Sequence, residues 1–457
     1  MAWLSAATSN RSGEAMQRRV FFVGSEAEVA HHALPLMNVD SFSTRIIDPE
    51  KVAAAAEPGD IAIFYSEHFD RFRQAVVALK EKRVASIYLV DGILEWRNAW
   101  ENSSDEPACP FTMRPVLCDK VAVIGASQAR VLAGWGNGGK IEVVGIPRVD
   151  RLAEDWRNPD GYQPLEKNSP FRVLVATAKT PGFTPQQLET TTQSLLDLKE
   201  HFDANPDVGG HALKVTWRLT AGLDSRIGVE NSLSDLGGQE LHDAIANCDA
   251  FITTPSTSML ESMLQHKPTA LLDYHQCPDY VQAAWKIHSV GSIGPVLRQL
   301  ANPDGSRLQF QNATLDDALQ IRQPATDRLV QLIQMMFNAC DQQLPTNNLL
   351  EFEANLLPQP VFASELSGTH CKMDYASVFA NYNEFTDDCD SQEIRAQLAH
   401  ARREVEHQKR IGDGLRAELA EAHSIFEQIH QHPIAGPIVR LRERFISFMK
   451  RNKEQDS

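Results

Sequence analysis

The stretch "TTPSTSMLESM", Thr253 to Met263, holds the densest group of side chains that could do chemistry. It follows an apolar run, "CDAFIT", that reads as a buried strand. It leads into "MLESMLQ", where Met259, Leu260, Met263 and Leu264 share one helical face. Ser256, Thr257 and Ser258 therefore stand where a strand hands over to a helix, and the backbone N–H groups there lack helical partners. Two readings of the stretch follow. Ser258, three residues ahead of Glu261, has the spacing of a capping box, in which the Glu reaches back to the helix start. One cap needs one hydroxyl, however, and Thr254, Ser256 and Thr257 are left over. Several hydroxyls beside free N–H groups suit a diphosphate. A carboxylate one turn into the helix, Glu261, could then accept hydrogen bonds from the vicinal hydroxyls of a ribose.

Other stretches could complete such a site. In "ATAKTPGFT" (176–184), Thr177, Lys179 and Thr180 stand at the carboxyl end of a strand. Lys179 could neutralise a departing diphosphate, or be an ordinary solvated lysine. In "IYLVDGILEWRNAWE" (87–101) a strand runs into Asp91-Gly92. Asp91 could act as a general base or simply form a turn, and Glu95 and Arg97 just beyond are second candidates. "HHALP" (31–35) reads as surface or cleft wall. The sequence has no Walker A loop, no GxGxxG after the first strand and no HExxH. "DCD" (388–390) lies outside the sheet-forming segments and reads as a solvated acidic run. No metal and no resident cofactor are expected.

The elements that must position these residues alternate. "RVFFVG" (19–24), "DIAIFY" (60–65), "ASIYLV" (85–90), "KVAVIG" (120–125) and "IEVVG" (141–145) are near-continuous apolar runs, as strands buried on both faces should be. Helical segments, 70–82 and 127–136, lie between them. The polar, Pro-rich stretch 147–170 breaks the pattern and reads as a domain boundary. Alternation then resumes with strands at 171–178, 213–219, 249–254 and 268–273, and helices at 185–204 and 237–248. The expectation is an α/β protein with two tandem Rossmann-like doubly wound domains, 17–165 and 166–344, and a cleft between the carboxyl ends of their sheets. A disordered leader (1–16) precedes them and an irregular connector (345–388) follows.

From 389 to 431 mostly apolar residues recur at alternating spacings of four and three, interrupted by Gln408 and Gly412, the seam of a coiled coil that would make a homodimer. A single solvated helix is the other reading. The last segment (432–457) is basic and amphipathic. Its stretch 438–453 could lie on an anionic membrane surface or pack its apolar face on protein.

Bulk properties narrow the partners. The chain has 457 residues, a net charge of -16 and seven scattered cysteines without CxxC spacing. Nucleic-acid binding is disfavoured by the charge, and a disulfide framework by the cysteines. A cytoplasmic protein fits, with the basic tail able to hold it at the inner face of a membrane. No run of about 20 apolar residues is present.

"LHDAIANCDAFITTPSTSMLESMLQHKPTALLDYH" (241–275) resembles the nucleotide-binding core of glycosyltransferases with the GT-B architecture. "KIEVVGIPRVD" (140–150) is similar to the "GNPRFD"-like segment of surface-polysaccharide transferases and CDP-glycerol glycerophosphotransferases, with Ile146 where Asn is commoner. "KVTWRL" (214–219) looks like their second C-domain strand, which often ends in a basic residue facing the cleft. The resemblance implies that Ser256, Thr257 and Ser258 face the donor diphosphate, Glu261 the ribose, and that Arg218 fills the basic position. Many relatives have His-Gly where this chain has Asp91-Gly92, and an "HP" that this chain lacks. The likeness spans roughly 17–340. It implies metal-independent transfer of a sugar, or a polyol phosphate, from a nucleotide-activated donor to a saccharide or lipid-linked acceptor in cell-surface polysaccharide assembly. A sugar-nucleotide epimerase of the same fold and a catalytically silent coiled-coil scaffold are the alternatives.

Overall fold

Six parallel strands make the first sheet: β1 (Arg19–Val23), β2 (Ser43–Ile47), β3 (Ile61–Phe64), β4 (Ala85–Leu89), β5 (Lys120–Val123) and β6 (Ile141–Val143), in the order β2-β1-β3-β4-β5-β6. Five of them are the apolar runs of the sequence. β2 is an edge strand, "STRII", in which only Ile47 is buried, so it lacks that signature. The second sheet contains β7 (Phe171–Ala176), β8 (Asp207–Val208), β9 (His211–Arg218), β10 (Ala250–Thr253), β11 (Thr269–Leu272) and β12 (Trp285–Ile287), in the order β12-β11-β10-β7-β9-β8. All are parallel except β8, which pairs antiparallel with β9. The chain is seen in a computed structural model that describes residues 18–358 apart from 102–112, 158–160, 231, 234–237, 276 and 347. The expected leader, coiled coil and basic tail lie outside the described residues, as do the end of the connector and Cys109, Cys371 and Cys389.

Both sheets wind the same way. β1 lies between β2 and β3, and β7 lies between β9 and β10, so the chain leaves each central strand first to one side and then to the other. Such a reversal opens a crevice beyond the carboxyl ends of the strands. The residues that follow β7, β9 and β10 are those the sequence singled out. The two doubly wound α/β sheets are as expected.

Stretch 147–170, the polar, Pro-rich segment read as a domain boundary, holds regular structure at its start. It begins with a 3-10 turn, Pro147–Val149, and a helix, Asp150–Arg157. That helix is short, charged and buries only Ala153, which leaves little apolar periodicity to read. Its first residue ties distant parts together: the Asp150 carboxylate accepts hydrogen bonds from the N–H groups of Ala325 (2.6 Å) and Thr326 (2.9 Å). These open the helix Ala325–Gln343. This helix falls inside the segment assigned to the second domain, yet it packs on the first sheet. Leu329, Leu332, Ile333, Met336 and Phe337 share a core with Val20, Phe22, Ile61 and Ile63. The described part of the connector continues over the same core through Leu350, Phe352, Leu356 and Leu357. Glu142 anchors it, accepting from the N–H of Leu356 (2.8 Å) and of Leu357 (3.0 Å) and pairing with the buried Lys120 at 2.7 Å.

The helix Ser258–Leu264 is wedged between the two halves. All seven of its residues are buried, and Met259, Leu260, Met263 and Leu264 join the core of the first sheet. The hydroxyl-rich loop before it is thereby fixed between the sheets. No helix among the described residues is long and apolar enough to cross a membrane.

Candidate functional site

A cleft of about 720 Å³ opens between the halves, within the size range of small-ligand sites. The second half contributes Lys179 after β7, Arg218 at the end of β9, Ser256, Thr257 and Ser258 after β10, and Glu261. The first half contributes His31, Arg148 and Arg151. Four Arg and Lys side chains face three carboxyls, those of Asp155, Asp243 and Glu261, in a protein whose net charge is -16. The cleft is thus a locally basic place on an acidic molecule, which favours an anionic ligand.

The hydroxyls divide into two groups. Thr177 and Thr254 are 0% and 1% exposed. Thr254 Oγ1 accepts from the N–H of Ala178 (2.8 Å), and Thr177 Oγ1 accepts from the N–H of Thr220 (3.0 Å). Both tie the ends of neighbouring strands together and lie behind the cleft wall, which removes them from the expected ligand set. Ser256, Thr257 and Ser258 do line the cleft. Ser256 Oγ accepts from Ser258 N (3.3 Å) and Ser258 Oγ (3.1 Å). Thr257 Oγ1 accepts from the N–H of Ile93 in the first half (3.2 Å).

Glu261 does not form the capping box. The residue preceding the helix is Thr257, with no side-chain cap. The Glu261 carboxylate meets two nitrogens instead: Arg148 Nη2 at 3.1 Å on Oε1, and His242 Nε2 at 3.4 Å on Oε2. A buried carboxylate gains more from a cation than from a neutral backbone N–H. Burial pushes its pKa up, but His242 and Arg148 more than offset this and hold it below the ordinary carboxylate value. Arg148 also donates through Nη1 to the carbonyl of Asp91 (3.0 Å), and so bridges the halves. Arg218 donates to the Thr177 carbonyl (2.9 Å), and burial lowers its pKa, partly offset by Glu261. Lys179 is exposed on its loop.

Asp91 stands at the rim with its side chain 57% exposed and is not among the lining residues. Its carboxylate lies 3.9 Å from His32 Nε2. Burial drives the His32 pKa down to about 3, with His31 and Arg148 adding to it, so the contact involves a neutral imidazole at neutral pH. His31, one residue earlier, does line the cleft, as "HHALP" suggested for a cleft wall. Burial lowers its pKa too, with further lowering from Arg148 and Lys179.

Glu95 lies apart from this cleft, in a chamber of about 20 Å³ lined by Pro255 and Met259 on one side and Asp273 and Asp279 on another. That is room for about one water. Its carboxylate pairs with Arg97, which is 1% exposed. Burial pushes the Glu95 pKa up to about 7, Arg97 offsets part of that, and Asp273 and Asp279 add to it. A carboxyl whose folded pKa lies above its ordinary 4.5 loses stabilisation as pH rises between the two values. Unfolding free energy should therefore fall by roughly 2–3 kcal/mol from this group between about pH 5 and pH 8. Glu95→Gln should flatten that slope in urea unfolding at the two pH values. An unchanged slope would show that water already solvates the charge.

Arg148, His31 and His242 were not picked out as site residues. Arg148 lies in "KIEVVGIPRVD", which carried a family resemblance, but nothing local in that stretch shows that its side chain reaches Glu261.

No protein-family model matches the sequence, and no curated relative matches it. Solved structures similar to the chain include the UDP-GlcNAc 2-epimerase of Methanocaldococcus jannaschii with UDP-GlcNAc and UDP (11% identity, TM-score 0.47, 70% of this chain and 99% of that one). MnaA of S. aureus with UDP is similar at 13% identity, TM-score 0.47, over 74% of this chain and 100% of that one. The wall teichoic acid polymerase TagF is similar at 12% identity, TM-score 0.44, over 72% and 90%. Similarity of this order concerns chain architecture; the chemistry of the cleft rests on its own residues.

Proposed function

We propose that the cleft binds a nucleotide-activated donor and that the protein transfers its sugar, or a polyol phosphate, to an acceptor hydroxyl. The observation that carries this reading is Glu261: a buried carboxylate, held ionised, on the floor of a basic cleft at the winding reversal of the second sheet. A ribose diol donating to Glu261 sets the attached diphosphate toward Ser256, Thr257 and Ser258, with Arg218 and Lys179 in reach of its charge. In sugar transfer the acceptor oxygen bonds to the anomeric carbon as the bond from that carbon to the phosphate oxygen breaks. The diphosphate leaves with the electron pair, and the two cations stabilise the charge that builds on it. The acceptor proton passes to a base from the first half. His31 fits this role better than the rim residue Asp91, since it lines the cleft and its lowered pKa leaves it able to accept a proton at neutral pH.

The test is to incubate the protein with UDP-, GDP- and CDP-activated donors, with and without saccharide acceptors, and to follow the products by mass spectrometry and NMR. Release of a nucleoside diphosphate (a monophosphate for polyol phosphate transfer) with a modified acceptor supports transfer. A changed sugar carbon with the donor otherwise intact would identify an epimerase instead. No conversion of any donor would count against both.

A further inference from the structure

Glu261 is already occupied in the structure. Each of its oxygens meets a nitrogen, Arg148 on Oε1 and His242 on Oε2, and the residue is only 6% exposed. Arg148 comes from the other half of the cleft, and its side chain is 27% exposed. It is the more exposed of the two partners, 27% against 13% for His242, and its second anchor is the carbonyl of Asp91. Oε1 becomes fully open to a ribose hydroxyl when Arg148 withdraws. The guanidinium then loses its counter-charge inside a partly buried cleft, which is costly unless another anion replaces it.

We propose that Arg148 acts as a displaceable bridge that makes the cleft select a phosphorylated nucleoside over the bare nucleoside. The proposal rests on the assignment of the cleft to a nucleotide donor. The ribose displaces Arg148 from Glu261, and the freed guanidinium pairs with the diphosphate of the same ligand. A guanidinium presents paired N–H donors that match phosphate oxygens. The phosphate therefore contributes twice, through Arg218 and Lys179 and through re-pairing Arg148. A nucleoside breaks the Arg148–Glu261 pair and gives nothing back. Arg148 is in this sense a specificity-determining residue.

The experiment compares wild type, Arg148→Gln and Arg148→Lys by calorimetry with UDP, GDP and CDP. Uridine, guanosine and cytidine are measured by competition against the diphosphate that binds. Thermal unfolding of each variant confirms folding, and Arg148→Lys keeps a charge should Arg148→Gln fail to fold. In Arg148→Gln the diphosphate should weaken about tenfold and the matching nucleoside should tighten severalfold. The preference for the diphosphate then collapses by a factor of roughly 30 or more. In Arg148→Lys the preference should fall by less, because a point charge still meets phosphate. Parallel weakening of nucleoside and diphosphate, with their ratio kept within threefold, overturns the bridge and leaves the nucleotide reading standing. No binding of any diphosphate to wild type overturns that reading, and the bridge with it.

Discussion

Glu261→Ala should lower the affinity for the nucleoside diphosphate that binds by about 100-fold. Hydrogen bonds to a charged group contribute about 1.5–3 kcal/mol each. Losing the ribose contact should therefore cost on the order of 2.7 kcal/mol, which is a hundredfold in affinity. The fold should survive. Removing the carboxylate strips Arg148 of its counter-charge and His242 of its partner, but Arg148 is 27% exposed and can turn to water, so the stability loss should be about 1–2 kcal/mol. Glu261→Gln keeps the shape and one acceptor oxygen and should fall between. Acid should mimic the substitution. The folded pKa of Glu261 is depressed, so its contribution is full above the ordinary carboxylate pKa and is lost as pH falls through the folded value. Calorimetry paired with urea unfolding reads both effects. A variant that loses stability and keeps its nucleotide affinity would reduce Glu261 to an interdomain tie.

Gly92→Ala should destabilise the protein by about 2–3 kcal/mol and weaken the ligand as well. The sequence offers a simple reason for this glycine, an Asp-Gly turn. The structure gives another. A Cβ on Gly92 would sit 2.2 Å from Thr257 Oγ1, and that hydroxyl is held by the N–H of the next residue, Ile93, at 3.2 Å. The loop after β4 and the loop after β10 thus touch through a glycine, and a side chain there forces the Thr257 hydroxyl out of its place and off the Ile93 N–H. Thr257→Ala in the same protein removes the oxygen and leaves Cβ at 3.5 Å, an ordinary contact. The double variant should recover to within about 1 kcal/mol of wild type, the value of one lost hydrogen bond. Simple addition of the two single losses would show that the contact is not the cause.

How much was legible in the sequence depended on how local the cause was. Strands buried on both faces announced themselves as apolar runs. The helix Pro185–Ala204 is as expected, and its start is marked locally: Thr184 caps it and Pro185 begins it. β2 and the three-residue β12 were invisible, being an edge strand with polar residues and a strand too short to show a period. The helix Asp150–Arg157 was masked by its charges, and its partner is the helix at Ala325, 175 residues on. The site divides the same way. A group of hydroxyls between a strand and a helix could be read as one feature. Which of them face the cleft could not, because Thr177 and Thr254 are claimed by backbone groups on neighbouring strands. Nor could the partner of Glu261. A capping box is a local pattern, and it lost to a guanidinium 113 residues away in sequence.

Nucleotide binding at Glu261 is tested most directly by calorimetric titration of the full chain with UDP, GDP, CDP and CMP, with and without magnesium, repeated on Glu261→Ala. Saturable binding of one of these nucleotides is expected, little changed by magnesium and about 100-fold weaker in the variant. Failure of all four to bind, or binding that Glu261→Ala leaves intact, would contradict it.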